Sequence, residues 1–322
     1  MGLFDKPRKI ADIYSSLRNK ALLLDPVQIG MTPDQANPIF GVLMEIGDKD
    51  TVMTLSAIGD GSVSLYFSNG GGIIGIGQHE GPRKACLSFL SYAKQFTSQL
   101  RPAKEFPLPQ KGYVTFYFLT TNGVLTTSGK ETDLGNNRVP LSPLFHKAHE
   151  IITQARLVDE KRKRDFHDFM NGATTGDVHK IKNLIENGIN PNASDPTGLT
   201  PLMVASHSGK IEILELLIEA GVPIDAKDSS GYTALMFSCN AGKLSCVRYL
   251  IEKGANINEI DNDGSTPLMF CTQHGYNDIV RLLLKKGANP RVKGHHGLSA
   301  IDFAEQNGLT ETKRILEGVD ET

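Results

Sequence analysis

In this 322-residue chain, the side chains whose types and spacing suit chemistry are few. Gly70, Gly72 and Gly75 satisfy G-x-G-x-x-G, the spacing with which a backbone approaches a pyrophosphate. That use requires a strand before the glycines, a helix opening among them and an acidic residue about twenty positions later. Only the strand is plausible here, and the next helical pattern starts beyond Glu80, so a glycine-rich turn is the better reading. His79, Glu80, His146 and His149 have the protonation chemistry for acid–base work. No G-x-S-x-G, H-E-x-x-H or paired-carboxylate pattern accompanies them, so they read as solvated groups and no catalytic residue is assigned.

Cys86, Cys239, Cys246 and Cys271 form no C-x-x-C pair and read as buried, reduced thiols. His295 and His296 are adjacent but lack a third ligand at suitable spacing, so no metal and no cofactor is expected. The basic run 161–164 is flanked by Asp159, Glu160 and Asp165, which favours i to i+4 pairing on an exposed helix over a nucleic-acid patch. A net charge of −2 supplies no field to recruit nucleic acid or an anionic membrane. No apolar run approaches the roughly eighteen residues that span a bilayer. The first residues lack the apolar core of a signal peptide, and Lys6 stands where N-myristoylation of Gly2 wants Ser or Thr. The expected location is cytoplasmic.

The elements that position these residues are set in the C-terminal half by a period. Thr200, Thr233, Thr266 and Ser299 open similar segments 33 residues apart, and three glycine series keep the same interval. Glycine is favoured where φ is positive, so each unit reads as turn, helix, glycine stop, second helix, glycine stop and loop. The Thr or Ser hydroxyl caps the first helix, and Pro201 and Pro267 follow where a missing N–H costs nothing. The second helices carry apolar stripes, such as Ile211, Leu214, Leu217 and Ile218, that only stacking buries.

These segments resemble the ankyrin repeat family, whose pattern D-x-x-G-x-T-P-L-H-x-A is matched at 195–205 and nearly matched at 228–238 and 261–271. The resemblance implies an all-α solenoid of five units over 165–320, the first and last acting as caps. The family's His is replaced by Met203, Met236, Met269 and, in the last unit, Asp302. Losing that hydrogen-bonding group predicts a softer array in which methionine compensates by packing. The resemblance also implies protein partners held on a concave face of turns and first helices. The binding positions are then Leu199, His207, Ser208, Ser230, Tyr232, Asn240, Asn262, Asp263, Gln273, His274, His295 and His296, a polar surface with Tyr232 as its anchor.

Residues 1–158 lack the period and predict a separate α+β domain, an antiparallel sheet with helices on one face, joined by a helical linker at 159–164. Residues 6–24 read as an amphipathic helix with Ile10, Ile13, Tyr14, Leu17 and Leu22 on one side. Strands are expected at 40–46, 51–58 and 63–68, with a short fourth in 70–77, and a hairpin joins 113–121 to 124–128 through Asn122 and Gly123. Helices are expected at 82–100 and 144–164. This order is similar, in topology alone, to class I secretion chaperones and less closely to roadblock and longin-like modules; no motif accompanies the likeness, and topology does not carry function.

Three functions follow from these readings. The first is a scaffold or adaptor that grips a protein partner through the array. The second is an enzyme or effector whose N-terminal domain acts on what the repeats recruit. The third is a chaperone-like module that forms a homodimer through the N-terminal domain.

Overall fold

The computed structural model describes residues 7–29, 39–73 and 75–318. Gly2 and Lys6 lie outside the described residues. The chain divides into two compact units, Met1–Arg162 and Lys163–Thr322, and the boundary falls inside one helix.

The first unit opens with α1 (Pro7–Leu22), followed by β1 (Ile39–Gly47), β2 (Val52–Ile58), β3 (Val63–Phe67) and β4 (Gly72–Ile73). Next come α2 (Glu80–Ala93), β5 (Arg101–Pro102), β6 (Tyr113–Thr120), β7 (Gly123–Lys130), α3 (Glu131–Gly135) and the long α4 (Ser142–Thr175). The strands form one antiparallel sheet in the order β4-β3-β2-β1-β6-β7-β5, with β1 at its centre between β2 and β6. The expected elements are present, but two-residue β5 and five-residue α3 were not expected, and the helix after Glu80 gives way at Lys94 to a 3-10 segment.

Period-two alternation sends neighbouring side chains of a strand to opposite faces. Val42, Met44, Leu55, Ala57, Phe116 and Phe118 form one core with Phe89 of α2 and Ile151 of α4. The alternate residues Leu43, Ile58, Tyr117 and Leu119 form a second core with Leu22 of α1. Helices therefore cover both faces, which corrects the one-face expectation. The physical reason is that β1 is buried along its whole length and needs a cover on each side.

The cover supplied by α1 is partly ionic. Arg18, one turn from both Tyr14 and Leu22, donates from Nε and Nη2 to the two carboxylate oxygens of Glu45 at 2.6 and 2.9 Å. Nη2 also donates to the Phe106 carbonyl at 2.9 Å, and the Thr54 hydroxyl donates to Glu45 Oε1 at 3.2 Å. Glu45 is fully buried and Arg18 nearly so. The buried face of α1 thus runs Tyr14, Arg18, Leu22, while Ile13, expected on that face, is 59% exposed.

In the second unit the end of α4 pairs with α5 (Val178–Glu186), and four further helix pairs follow. These are α6 (Pro201–Ser208) with α7 (Ile211–Glu219), α8 (Ala234–Asn240) with α9 (Leu244–Glu252), α10 (Pro267–Gln273) with α11 (Asn277–Lys285), and α12 (Ala300–Gln306) with α13 (Thr310–Glu317). One continuous core runs through all of them, from Phe169 and Ile181 to Ile315 and Leu316. Each fully buried Leu or Ile in it contributes about 1.5–3 kcal/mol, which no single pair would recover alone.

The methionines do more than pack. Met203, Met236 and Met269 are almost fully buried, and each Sδ accepts the backbone N–H of the capping threonine three residues earlier, at 3.5, 3.5 and 3.4 Å. The threonine hydroxyl accepts the methionine N–H in return. In the last unit Asp302 Oδ2 accepts from the Ser299 N–H at 2.8 Å and its hydroxyl at 2.6 Å, and these bonds hold its carboxyl below the usual range. The reciprocal cap survives the loss of histidine because a thioether is itself a weak acceptor. The expected softening is answered by a hydrogen bond as well as by packing.

Candidate functional site

The turns before α6, α8 and α10 are built on a repeated device. Asp195, Asp228 and Asp261 each accept through Oδ1 from backbone N–H groups two and four residues on, at 2.7–2.9 Å. In Asp195 burial raises the carboxyl pKa, but the Thr197 hydroxyl, which donates to Oδ1 at 2.6 Å, and then these backbone bonds outweigh it and lower the pKa. Successive turns are laced by backbone bonds from Ser229 N–H to Thr197, Asn262 N–H to Ser230, and His295 N–H to Asp263, at 2.7, 3.0 and 2.7 Å. Gly231 sits in this lacing at φ 83°, where an added Cβ would meet the Asn262 backbone nitrogen at 2.8 Å.

Tyr232 leaves the second of these turns and lies half-buried against the first helices. Its ring stands edge-on to Phe237 of α8 at 5.8 Å and to Phe270 of α10 at 5.2 Å, and His207 of α6 meets Phe237 at 6.3 Å. Burial, and then the carboxylates of Asp261, Asp263 and Asp228, push the Tyr232 phenol above the ordinary tyrosine range. Beside these rings the His274 imidazole bonds to Asn240 Oδ1 at 3.1 Å, and the Asn307 amide donates to the Gln273 carbonyl at 3.4 Å.

Most of the positions named from the sequence fall along this turn and first-helix strip. His207, Ser230, Asn240, Asn262, Asp263, Gln273, His274, His295 and His296 are exposed. Leu199 and Ser208 are half-buried, and Leu199 packs on the core rather than standing free. Asn262 is committed to the lacing, since its amide also donates to the Ser229 carbonyl at 2.9 Å. The surface is less polar than expected. Val204, Phe237, Phe270 and Phe303 recur every 33 residues and are half-buried on the core. They were overlooked because their segments were read only as helix caps, although the constant interval of four large apolar residues was the available signal.

The N-terminal candidates are not brought together by any contact among the described residues. Gly70 and Gly71 close the β3–β4 hairpin, with the Phe67 N–H bonded to the Gly71 carbonyl and the Gly70 N–H to the Phe67 carbonyl. His79 is the N-cap residue of α2 and lies 2.8 Å from the Arg162 guanidinium; burial first, and then Arg162 and Lys161, lower its pKa. His146 bonds to Asn137 at 3.0 Å, and His149 bonds to the Phe145 carbonyl. Among the described residues no cluster of His, Cys, Asp or Glu could hold a metal, and no helix is long and apolar enough to cross a membrane.

The family model for ankyrin repeats (3 copies) matches residues 169–261, 220–294 and 253–316. The C-terminal half is an ankyrin-repeat array. Ankyrin repeats point to protein–protein interaction. No family model matches the N-terminal part, and no curated protein matches the chain.

Proposed function

We propose that the protein is a cytoplasmic scaffold or adaptor whose ankyrin array holds a protein partner on its turn and first-helix face. The N-terminal domain makes a second contact, to another protein or to a second copy of the chain. The observation that carries the reading is the half-buried ring cluster of Tyr232, Phe237 and Phe270, bordered by exposed His207, Asn240, Gln273 and His274. Large aromatic groups ringed by polar ones are what a protein partner uses as anchor and rim. Catalysis draws no such support, since His79, His146 and His149 are each engaged separately.

The test is affinity capture with the full chain against a variant carrying Tyr232→Ala, Asn240→Ala and Gln273→Ala. A partner retained by the parent and lost by the variant, with helical circular dichroism unchanged, supports the assignment. Equal capture by both moves binding to residues 1–162 or to another face of the array.

A further inference from the structure

Four carboxylates lie on the turns of the array. Among the described residues no ion pair involves Asp195, Asp228, Asp261 or Asp263. Elsewhere on the array, Lys227 pairs with Glu259 at 2.6 Å and Lys313 with Glu305 at 3.2 Å. Asp195, Asp228 and Asp261 are committed to turn hydrogen bonds. Asp263 is different: its backbone joins the lacing, while its exposed carboxylate bonds to no described residue.

The Asp261–Asp263 turn lies against the turn that carries Tyr232, since Asn262 bonds through its N–H to the Ser230 carbonyl at 3.0 Å and through its amide to the Ser229 carbonyl at 2.9 Å. Tyr232 feels the carboxylates of Asp261, Asp263 and Asp228, and the same ring touches Phe237 and Phe270. The helix side chains bordering the rings, His207, Asn240 and Gln273, are exposed. An aromatic face beside carboxylates that form no ion pair attracts cations through both the ring quadrupole and Coulomb attraction. It also discriminates. An apolar partner would strip water from Asp263 without replacing it, and an acidic one would add like-charge repulsion.

We propose that the turn and first-helix face takes a basic segment of a partner protein, with an arginine or lysine seated against the Tyr232, Phe237 and Phe270 rings beside the Asp263 carboxylate. This rests on the assignment of that face as the binding surface. The negative charge is local, because the chain as a whole carries only −2 and would not select basic segments by bulk attraction.

The test uses the full chain and three fluorescein-labelled fifteen-residue peptides of one apolar pattern, with Arg, Gln or Glu at every second position, read by anisotropy. The Arg peptide is expected to bind at least about tenfold more tightly than the Gln peptide, and the Glu peptide not to bind. Asp263→Asn is expected to weaken the Arg peptide about threefold to tenfold, and Tyr232→Ala by more, with Gln-peptide binding insensitive to Asp263→Asn. Glu252→Gln, the same charge change on exposed α9, is expected to have no effect.

Equal affinity for the Arg and Gln peptides, or binding of neither, overturns the basic-segment proposal. A loss with Glu252→Gln as large as that with Asp263→Asn also overturns it, since bulk charge would then suffice. If the peptides bind alike yet Tyr232→Ala releases them, the face survives as the binding surface and only the partner class fails. If the Arg peptide binds and neither Tyr232→Ala nor Asp263→Asn matters, the assignment of the face fails as well.

Discussion

Replacing Arg18 with Met isolates what holds α1 to the sheet. The substitution keeps an apolar stem but removes both bonds to Glu45, at 2.6 and 2.9 Å, and the bond to the Phe106 carbonyl. Glu45 then keeps a fully buried carboxylate whose remaining side-chain partner is the Thr54 hydroxyl. Breaking one side of a buried pair costs about 3–5 kcal/mol, because the surviving charge is left without compensation. At about 1.4 kcal/mol per tenfold, amide protection in β1 should fall roughly 140- to 3,700-fold. Hydrogen exchange with mass readout measures this within one sample, with peptides from α6 to α11 as an internal reference that should not change. In the double variant Arg18→Met with Glu45→Met both charges are gone, and protection should return to within about 1–2 kcal/mol of the parent. A single variant that keeps parental protection, or a double variant as open as the single, refutes the ionic account of the α1 cover.

Gly231→Ala should destabilise the array by about 1–2 kcal/mol or more, seen as a lower midpoint in helical circular dichroism, because φ 83° and the Asn262 backbone leave no room for a Cβ. Met236→Leu conserves volume but removes the acceptor of the Thr233 N–H, so a loss of about 0.5–1.5 kcal/mol is expected in urea melts, and Met236→His should restore it. Burial pushes the Cys86 thiol up to about 12 and the Cys246 thiol to about 11, so neither should react with a thiol reagent at pH 8 until the chain is unfolded. Both folded values lie above the ordinary thiol value of 9.0, so their stabilising contribution is complete below that pH and is lost as pH rises toward 11 to 12, which alkaline melts of Cys86→Ala and Cys246→Ala would show as a reduced slope.

The repeat half was readable from residues alone because its signals are local. Thr200, Thr233, Thr266 and Ser299 cap their helices in the structure as their positions imply, and the glycines that end each helix adopt the positive φ that brought them notice. A cap or a turn depends on a few adjacent residues, so a constant spacing of 33 is enough to specify it. The longer strands of the N-terminal unit were readable for the same reason, from short apolar runs bounded by Gly-Asp, Asp-Gly and Asn-Gly turn signals, whereas two-residue β5 was not. The binding strip was half legible: the turn residues followed from the period, whereas the row of Val204, Phe237, Phe270 and Phe303 lay inside segments whose legible signal was the helix cap, and its half-exposure is set by the stacking of the units.

What only the tertiary structure decided involves partners distant in the chain. The choice between one covered sheet face and two depends on which alternate residues of β1 meet a helix, and no local pattern says that Arg18 reaches Glu45 across 27 positions. Met203, Met236 and Met269 read as packing residues because a thioether acceptor is recognised only when a donor stands beside it. The environment of Tyr232 is of the same kind, since Phe237, Phe270 and the Asp261 and Asp263 carboxylates come from two successive repeats. Periodicity specifies each unit. The chemistry of the face arises where units stack, because only there do side chains 30 or more residues apart share one environment.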